Sequence, residues 1–244
     1  MIKHITKPIF LKYENSTFRL PIELKENVEK FWNNLVKENP KLFNGENHCV
    51  ESIIEYDEYI EMKVVRTNYA TYLYSERIGM PDKKFNIIHI WSGILLETKD
   101  NYFVIGEMGE TTSVPKCLQI PGGGTSDEDI KNDILDINTN LKRELKEELN
   151  LNLENIKYEM KYLEVPSGKR SVYGFLALGK IDMTKEELNK HFENYKKYIE
   201  INNLEQEFSR LVFIHKNNAL KELDELDNPK REYLREFIKI LNNN

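Results

Sequence analysis

Residues 121–151 read PGGGTSDEDIKNDILDINTNLKRELKEELNL, and this stretch decides the fold. Ile130, Ile134, Ile137, Leu141 and Leu145 are spaced by four, three, four and four residues. That spacing predicts one helical face, running to about Leu149, that packs on a sheet. At ~100° per residue, Glu144 and Glu148 fall beside the stripe one turn apart, with Glu147 on their outer side. Like charges at i,i+4 cost on the order of a few tenths of a kcal/mol, and acids near a helix C-terminus oppose its dipole. A cation among the acids removes both penalties. Mg²⁺, with Mn²⁺ as the alternative, suits such oxygen donors. Lys142, Arg143 and Lys146 are interleaved with the acids. Taken alone, KRELKEEL therefore reads first as a solvated, salt-bridged helix with an Arg143–Glu147 pair. The glycine triplet after the apolar run 117–120 tips the balance, because it lets backbone approach a metal or phosphate closely.

Residues 143–151, RELKEELNL, resemble the second half of the Nudix box, R-E-U-x-E-E-x-G-U with U apolar. Ile120-Pro121-Gly122-Gly123 resembles its strand-to-loop entry. The resemblance spans roughly residues 86–216 and is carried by about 30 of them. It implies an α+β fold: a Nudix-type α/β/α sandwich with a mixed sheet. It also implies Glu144 and Glu148 as metal ligands, with a backbone oxygen of the Gly123 region. Glu147 would be a further ligand or the base, and Arg143 would hold the acids in place. A metal-polarised water would then attack one phosphorus of a diphosphate. Glu205 and Glu207, ahead of a late strand, stand where many such enzymes place a further acid.

Two positions depart from the pattern. Asn150 replaces a glycine that ends the helix, and Asn is the next most tolerant residue of the left-handed conformation. Gly123 precedes Arg143 by 20 positions where the pattern has 14, an insertion of six. Leu135 occupies the place of a glutamate, so Asp127, Glu128, Asp129, Asp133 and Asp136 become substitutes for it. The function implied is hydrolysis of a nucleoside diphosphate-X, of nucleotide-sugar or ADP-ribose type. The alternative is a Nudix-fold binding or regulatory module without turnover, which the missing acid favours. Leu42-Phe43-Asn44-Gly45, after a helix, resembles the branch acting on UDP-sugars.

Outward from the box, Gly79 and Pro81 mark a boundary. It separates a small α+β N-terminal extension, 1–84, from a hydrolase domain, 85–244. In the extension, a helix is expected at 23–38, strands at 49–54 and 59–65, and a helix at 69–77. Residues 1–22 read as irregular or briefly extended. Beyond it, strands are expected at 86–96, 102–105, 117–120, 158–165, 171–178 and 210–214. Helices are expected at 185–198, 218–226 and 230–241. Lys169-Arg170 either touches a phosphate or closes a hairpin turn. Tyr69, Tyr72 and Tyr74 either stack on a base or pack. No histidine pairs with another at metal-binding spacing, and His89 reads as a core residue.

Apolar residues form 40% of the chain and charged residues 31%, and the net charge is −6. That charge argues against a nucleic acid, which calls for a basic face, and the partner that the resemblance implies is a small phosphorylated nucleotide-type substrate. No run of about 18 apolar residues supports a membrane span, and the polar start is unlike a signal peptide. Cys49 and Cys117 stand far apart and outside any metal-ligand spacing, as in reduced cytoplasmic proteins. A homodimer is left open.

Overall fold

The computed structural model describes residues 1–168 and 170–242. Its centre is a long strand, β5. In chain order the elements are β1 (Ile2–His4), β2 (Ile9–Thr17), α1 (Ile22–Glu38), β3 (Glu46–Glu55), β4 (Ile60–Asn68), α2 (Tyr69–Arg77), β5 (Ile88–Thr98) and β6 (Tyr102–Met108). There follow β7 (Leu118–Gln119), β8 (Gly122–Gly124), β9 (Ile130–Lys131), β10 (Ile134–Leu135) and α3 (Ile137–Leu149). The chain continues with β11 (Lys157–Glu164), β12 (Val172–Ile181), α4 (Lys185–Ile201), β13 (Phe208–His215), α5 (Ala219–Glu225) and α6 (Glu232–Asn242).

β5 is an almost unbroken apolar run, as a strand covered on both faces must be. β12 lies parallel to it along its length, from Val172 against His89 to Ile181 against Thr98. β8, β3 and β6 pair with it antiparallel, β8 through Trp91 against Gly124 and Gly93 against Gly122. Successive side chains of β5 feed two cores, because strand residues alternate faces. Ile94 and Leu96 join Leu141, Leu145 and Leu149 of α3 and Leu188 and Phe192 of α4. Leu95 joins Phe103, Leu118, Leu234 and Phe237 on the side of α5 and α6. The result is a mixed sheet between two helical layers, the α/β/α sandwich expected. Among the described residues, no helix is long and apolar enough to cross a membrane.

The first 84 residues share this sheet. β1 pairs with β11 (Ile2 against Glu164), and β3 pairs with β5 (Cys49 against His89). β4 pairs antiparallel with β3 and parallel with β2, a nine-residue strand where short extended pieces were expected.

The box stretch differs from the sequence expectation at one point. The helix begins at Ile137 and not near Ile130. Ile130 and Ile134 belong to the small hairpin β9–β10, with Ile134 facing Lys131. Its turn is Asn132-Asp133, both at positive φ (50° and 58°). Asn and Asp tolerate that conformation and close tight hairpins. Asp136 then caps α3 by accepting from the Asn138 N–H at 3.0 Å. β10 pairs with β2 at Ile134 and Lys12, so the insertion fastens the box to the N-terminal strands.

Candidate active site

α3 presents its acids to the glycine strand β8. Leu141, Leu145 and Leu149 are fully buried beneath the sheet, which holds the neighbouring Glu144 and Glu148 against β8 with only 5% and 4% of their surface exposed. The helix ends in Asn150 at φ 53° and ψ 35°, the left-handed cap expected from the sequence. Two side chains of α4 satisfy its last carbonyls. The Tyr195 hydroxyl donates to Glu147 O at 2.9 Å, and the His191 ring N–H donates to Leu149 O at 3.0 Å.

Gly122 is required by contact with backbone, and Gly123 leaves room for the Glu144 carboxylate. A Cβ on Gly123 would lie 2.6 Å from Glu144 Oε2, and one on Gly122 would lie 2.1 Å from Ser92 O. Gly122, at φ 140°, donates its N–H to Glu148 Oε2 at 2.7 Å. The other oxygen, Glu148 Oε1, is buried and has no hydrogen-bond partner among the described residues. Burial pushes the Glu144 carboxyl up to about 8, helped by Glu207, Glu147 and Asp129 and opposed by Arg143. Glu148 is pushed well above the usual carboxylate range, by burial first and then by Glu207 and Glu144, against the Gly122 N–H. Glu207, exposed at the mouth, is also raised, by desolvation on its inner side and then by Glu147 and Glu205.

Arg143 ties the loop to the helix. It donates to Gly124 O at 3.0 Å and to the Asp129 carboxylate at 3.1 and 3.3 Å, and it reaches Glu144 and Glu147 at 2.9 and 3.1 Å. Asp129 is wholly buried. It also accepts from the Asn140 side chain at 3.1 Å and the Ser126 N–H at 2.8 Å. Of the five acids named for the missing glutamate, Asp129 is thus the one joined to Arg143. Asp127 turns the other way, to Arg66 (2.6 Å) and to His48 Nε2 (3.1 Å) of the N-terminal strands.

The acids open into a cleft of about 270 Å³. Glu144, Glu207 and Gly122–Gly124 line it together with Tyr69, Tyr72, His89, Trp91, Gln119, Arg170, Arg231 and Tyr233. Tyr69 and Tyr72 come from α2, so the N-terminal segment builds one wall. Residues of the insertion do not line it. Tyr72 packs on His89 with ring centroids 4.4 Å apart. Burial, with Arg170 adding to it, pushes the His89 imidazole down to about 3, so it is uncharged.

The structure therefore brings together Gly123, Arg143, Glu144, Glu147, Glu148 and Glu207. Glu147 points outward, 57% exposed, to Arg143, and Glu205 is exposed and outside the cleft lining. Arg170 closes a hairpin with Ser167, as one of its two expected roles required, and also reaches the cleft wall. Lys169 lies outside the described residues.

No sequence-family profile and no curated protein matches this chain. Solved structures do. A Nudix hydrolase from Alicyclobacillus acidocaldarius is 10% identical, over 64% of this chain and 92% of its own, at a TM-score of 0.46. The Nudix hydrolase RenU from M. smegmatis is 11% identical, over 64% and 84%, at 0.42. An Ap4A hydrolase from C. elegans is 14% identical, over 62% and 93%, at 0.41. Likeness at this level carries no chemistry, which rests on the side chains themselves.

Those side chains fit a hard divalent cation. The donors are all oxygen, one of them buried and unpartnered. Among the described residues, no three acidic, histidine or cysteine side chains converge as a complete cage. A cation here would rest on Glu144 and Glu148 with backbone oxygen, and fill its shell with water and phosphate oxygens, the habit of Mg²⁺.

Sequence reasoning did not single out Arg231, which lies in a plain NPKRE stretch with no local signature. His89 is buried as its place in an apolar strand predicts, yet it lines the cleft with Tyr69 and Tyr72.

Proposed function

We propose that this chain is a metal-dependent pyrophosphohydrolase that cleaves the diphosphate linkage of a nucleoside diphosphate-X, of nucleotide-sugar or ADP-ribose type. The observation that carries the reading is the pair Glu144 and Glu148. Both are buried, both are raised, and one oxygen is without a partner, which is unfavourable for a carboxylate unless a cation completes it. When bound, a divalent cation would polarise a phosphoryl oxygen and lower the pKa of water. The Gly122 N–H orients Glu148, and Arg143 holds Glu144 toward the glycine strand. Glu207, raised and at the mouth, is the group suited to take a proton from the attacking water. The aromatic wall from α2 offers a surface for a ring beyond the diphosphate, which a simple triphosphatase does not need.

A binding module without turnover drew its support from the missing acid of the box. Asp129 on Arg143 supplies an acid from within the insertion, and the two carboxylates next to the glycines remain. The test is incubation with Mg²⁺ and equal concentrations of UDP-glucose, ADP-ribose and the common nucleoside triphosphates, with products separated by chromatography. A nucleoside monophosphate and a sugar phosphate are expected, with triphosphates the poorer substrates. Dominant pyrophosphate release from triphosphates would overturn the substrate class. No Mg²⁺-dependent product from any of them would overturn the enzyme.

A further inference from the structure

We infer that Arg231 is the residue that anchors a phosphate group of the ligand in this cleft; the inference rests on reading the cleft as a phosphate-ester site. Two arginines line the cleft, and their surroundings differ. Arg170 is committed to Glu164, to which it donates at 2.9 and 3.3 Å. Arg231 meets only Gln119 Oε1, 3.3 Å from its Nε, and among the described residues no carboxylate lies within ion-pair distance of it. Its terminal nitrogens keep their donors for a ligand.

The backbone around it is fixed. The Arg231 N–H donates to Leu118 O at 3.0 Å, and the Leu118 N–H donates to Pro229 O at 2.7 Å. The guanidinium therefore rides beside the short strand that runs directly into the glycine turn, in the cleft that Glu144 and Glu207 also line. A half-buried cation without a counter-charge is unfavourable unless an anion joins it. The planar guanidinium matches a phosphate with two parallel hydrogen bonds. Acids suited to a cation and a free arginine in the same cleft fit a ligand that is itself an anion joining the two. The ring that such a phosphate carries would lie against Tyr69 and Tyr72.

The experiment is calorimetric titration of the full chain in Mg²⁺ with AMP, UMP, adenosine and uridine, using wild type, Arg231→Gln and Arg231→Lys. Wild type is expected to bind a nucleotide more tightly than its nucleoside. Arg231→Gln should weaken nucleotide binding by about tenfold or more, as loss of charge-assisted hydrogen bonds implies, and leave the nucleoside unaffected. Arg231→Lys should fall between, and it keeps the assignment testable if the glutamine variant melts early. Unchanged nucleotide affinity in Arg231→Gln, or in Arg231→Lys where the glutamine variant does not fold, would overturn the inference. So would a wild type with no preference for nucleotide over nucleoside. The hydrolytic reading fails separately: a protein that binds nucleotides through Arg231 but cleaves no diphosphate keeps this inference and loses the enzyme.

Discussion

Asp129 and Glu148 come from the same stretch of chain, and both are buried (0% and 4% exposed), yet their surroundings are opposite. Asp129 is saturated: Ser126, Asn140 and Arg143 all donate to it. Glu148 has one donor, the Gly122 N–H, and one oxygen with none among the described residues. A buried carboxylate with donors on both oxygens beside an arginine holds structure together. One surrounded by other acids and left half-satisfied weakens the fold, and on the proposed reading it takes a cation. The difference teaches that acids in this segment cannot be assigned by count or spacing alone; what donates to each decides its role.

The largest effect on stability should follow from breaking the saturated member. Asp129→Ala takes the acceptor from the Ser126 N–H, the Asn140 amide and two nitrogens of Arg143, which keeps only Glu144 and Glu147 as counter-charges, and a buried donor left unmade costs about 1–3 kcal/mol. Urea unfolding of the variant checks this. A loss under about 1 kcal/mol would show that the two acids are not as different as their contacts imply.

The second effect sharpens the other side. Glu144 ionises near 4.5 in an unfolded chain and near 8 in the folded one. Between those values the native state binds the extra proton, so this contribution to stability is complete below the lower value and lost as pH rises through the upper one. Melting temperatures in EDTA should therefore fall more steeply from about pH 5 to about pH 8 for wild type than for Glu144→Gln. Arg143, Glu147, Glu207 and Asp129, which face Glu144, are the same in both proteins. Parallel curves would contradict the assignment.

The smallest effect concerns the end of the helix that carries Glu144 and Glu148. Asn150 sits at φ 53°. Asn150→Gly should be neutral or slightly stabilising, and Asn150→Val should cost about 1 kcal/mol or more, because a β-branched side chain clashes in that conformation. Thermal melting of the two variants distinguishes these outcomes.

Much of this was legible in the sequence. The unbroken apolar run of β5, the helical spacing in α1 and α4 and the Asn68-to-Arg77 segment all report local physics, and the elements lie within a few residues of their expected places. The cap at Asn150 was legible because few residues accept its backbone angles. Ile130 and Ile134 misled, since two strands of a tight hairpin can mimic helical spacing by chance. The Asn132-Asp133 pair between apolar residues was the local signal of that hairpin. The choice of Asp129 among five acids, and the place of Arg231 in the cleft, were not legible. Both depend on partners far away in the chain, Arg143 in one case and the strand at Leu118 in the other.

The central claim is that Glu144 and Glu148 form a cation site. Mn²⁺ titration of metal-free protein, followed by calorimetry near neutral pH, tests it on wild type and Glu148→Gln. The account predicts saturable binding to the wild type. It predicts that Glu148→Gln loses that binding, together with Mg²⁺-dependent hydrolysis, while melting no lower than metal-free wild type, because the amide still accepts from the Gly122 N–H and never ionises among the other acids. Glu148→Gln protein that binds Mn²⁺ as tightly as wild type, or keeps full Mg²⁺-dependent activity, would contradict it.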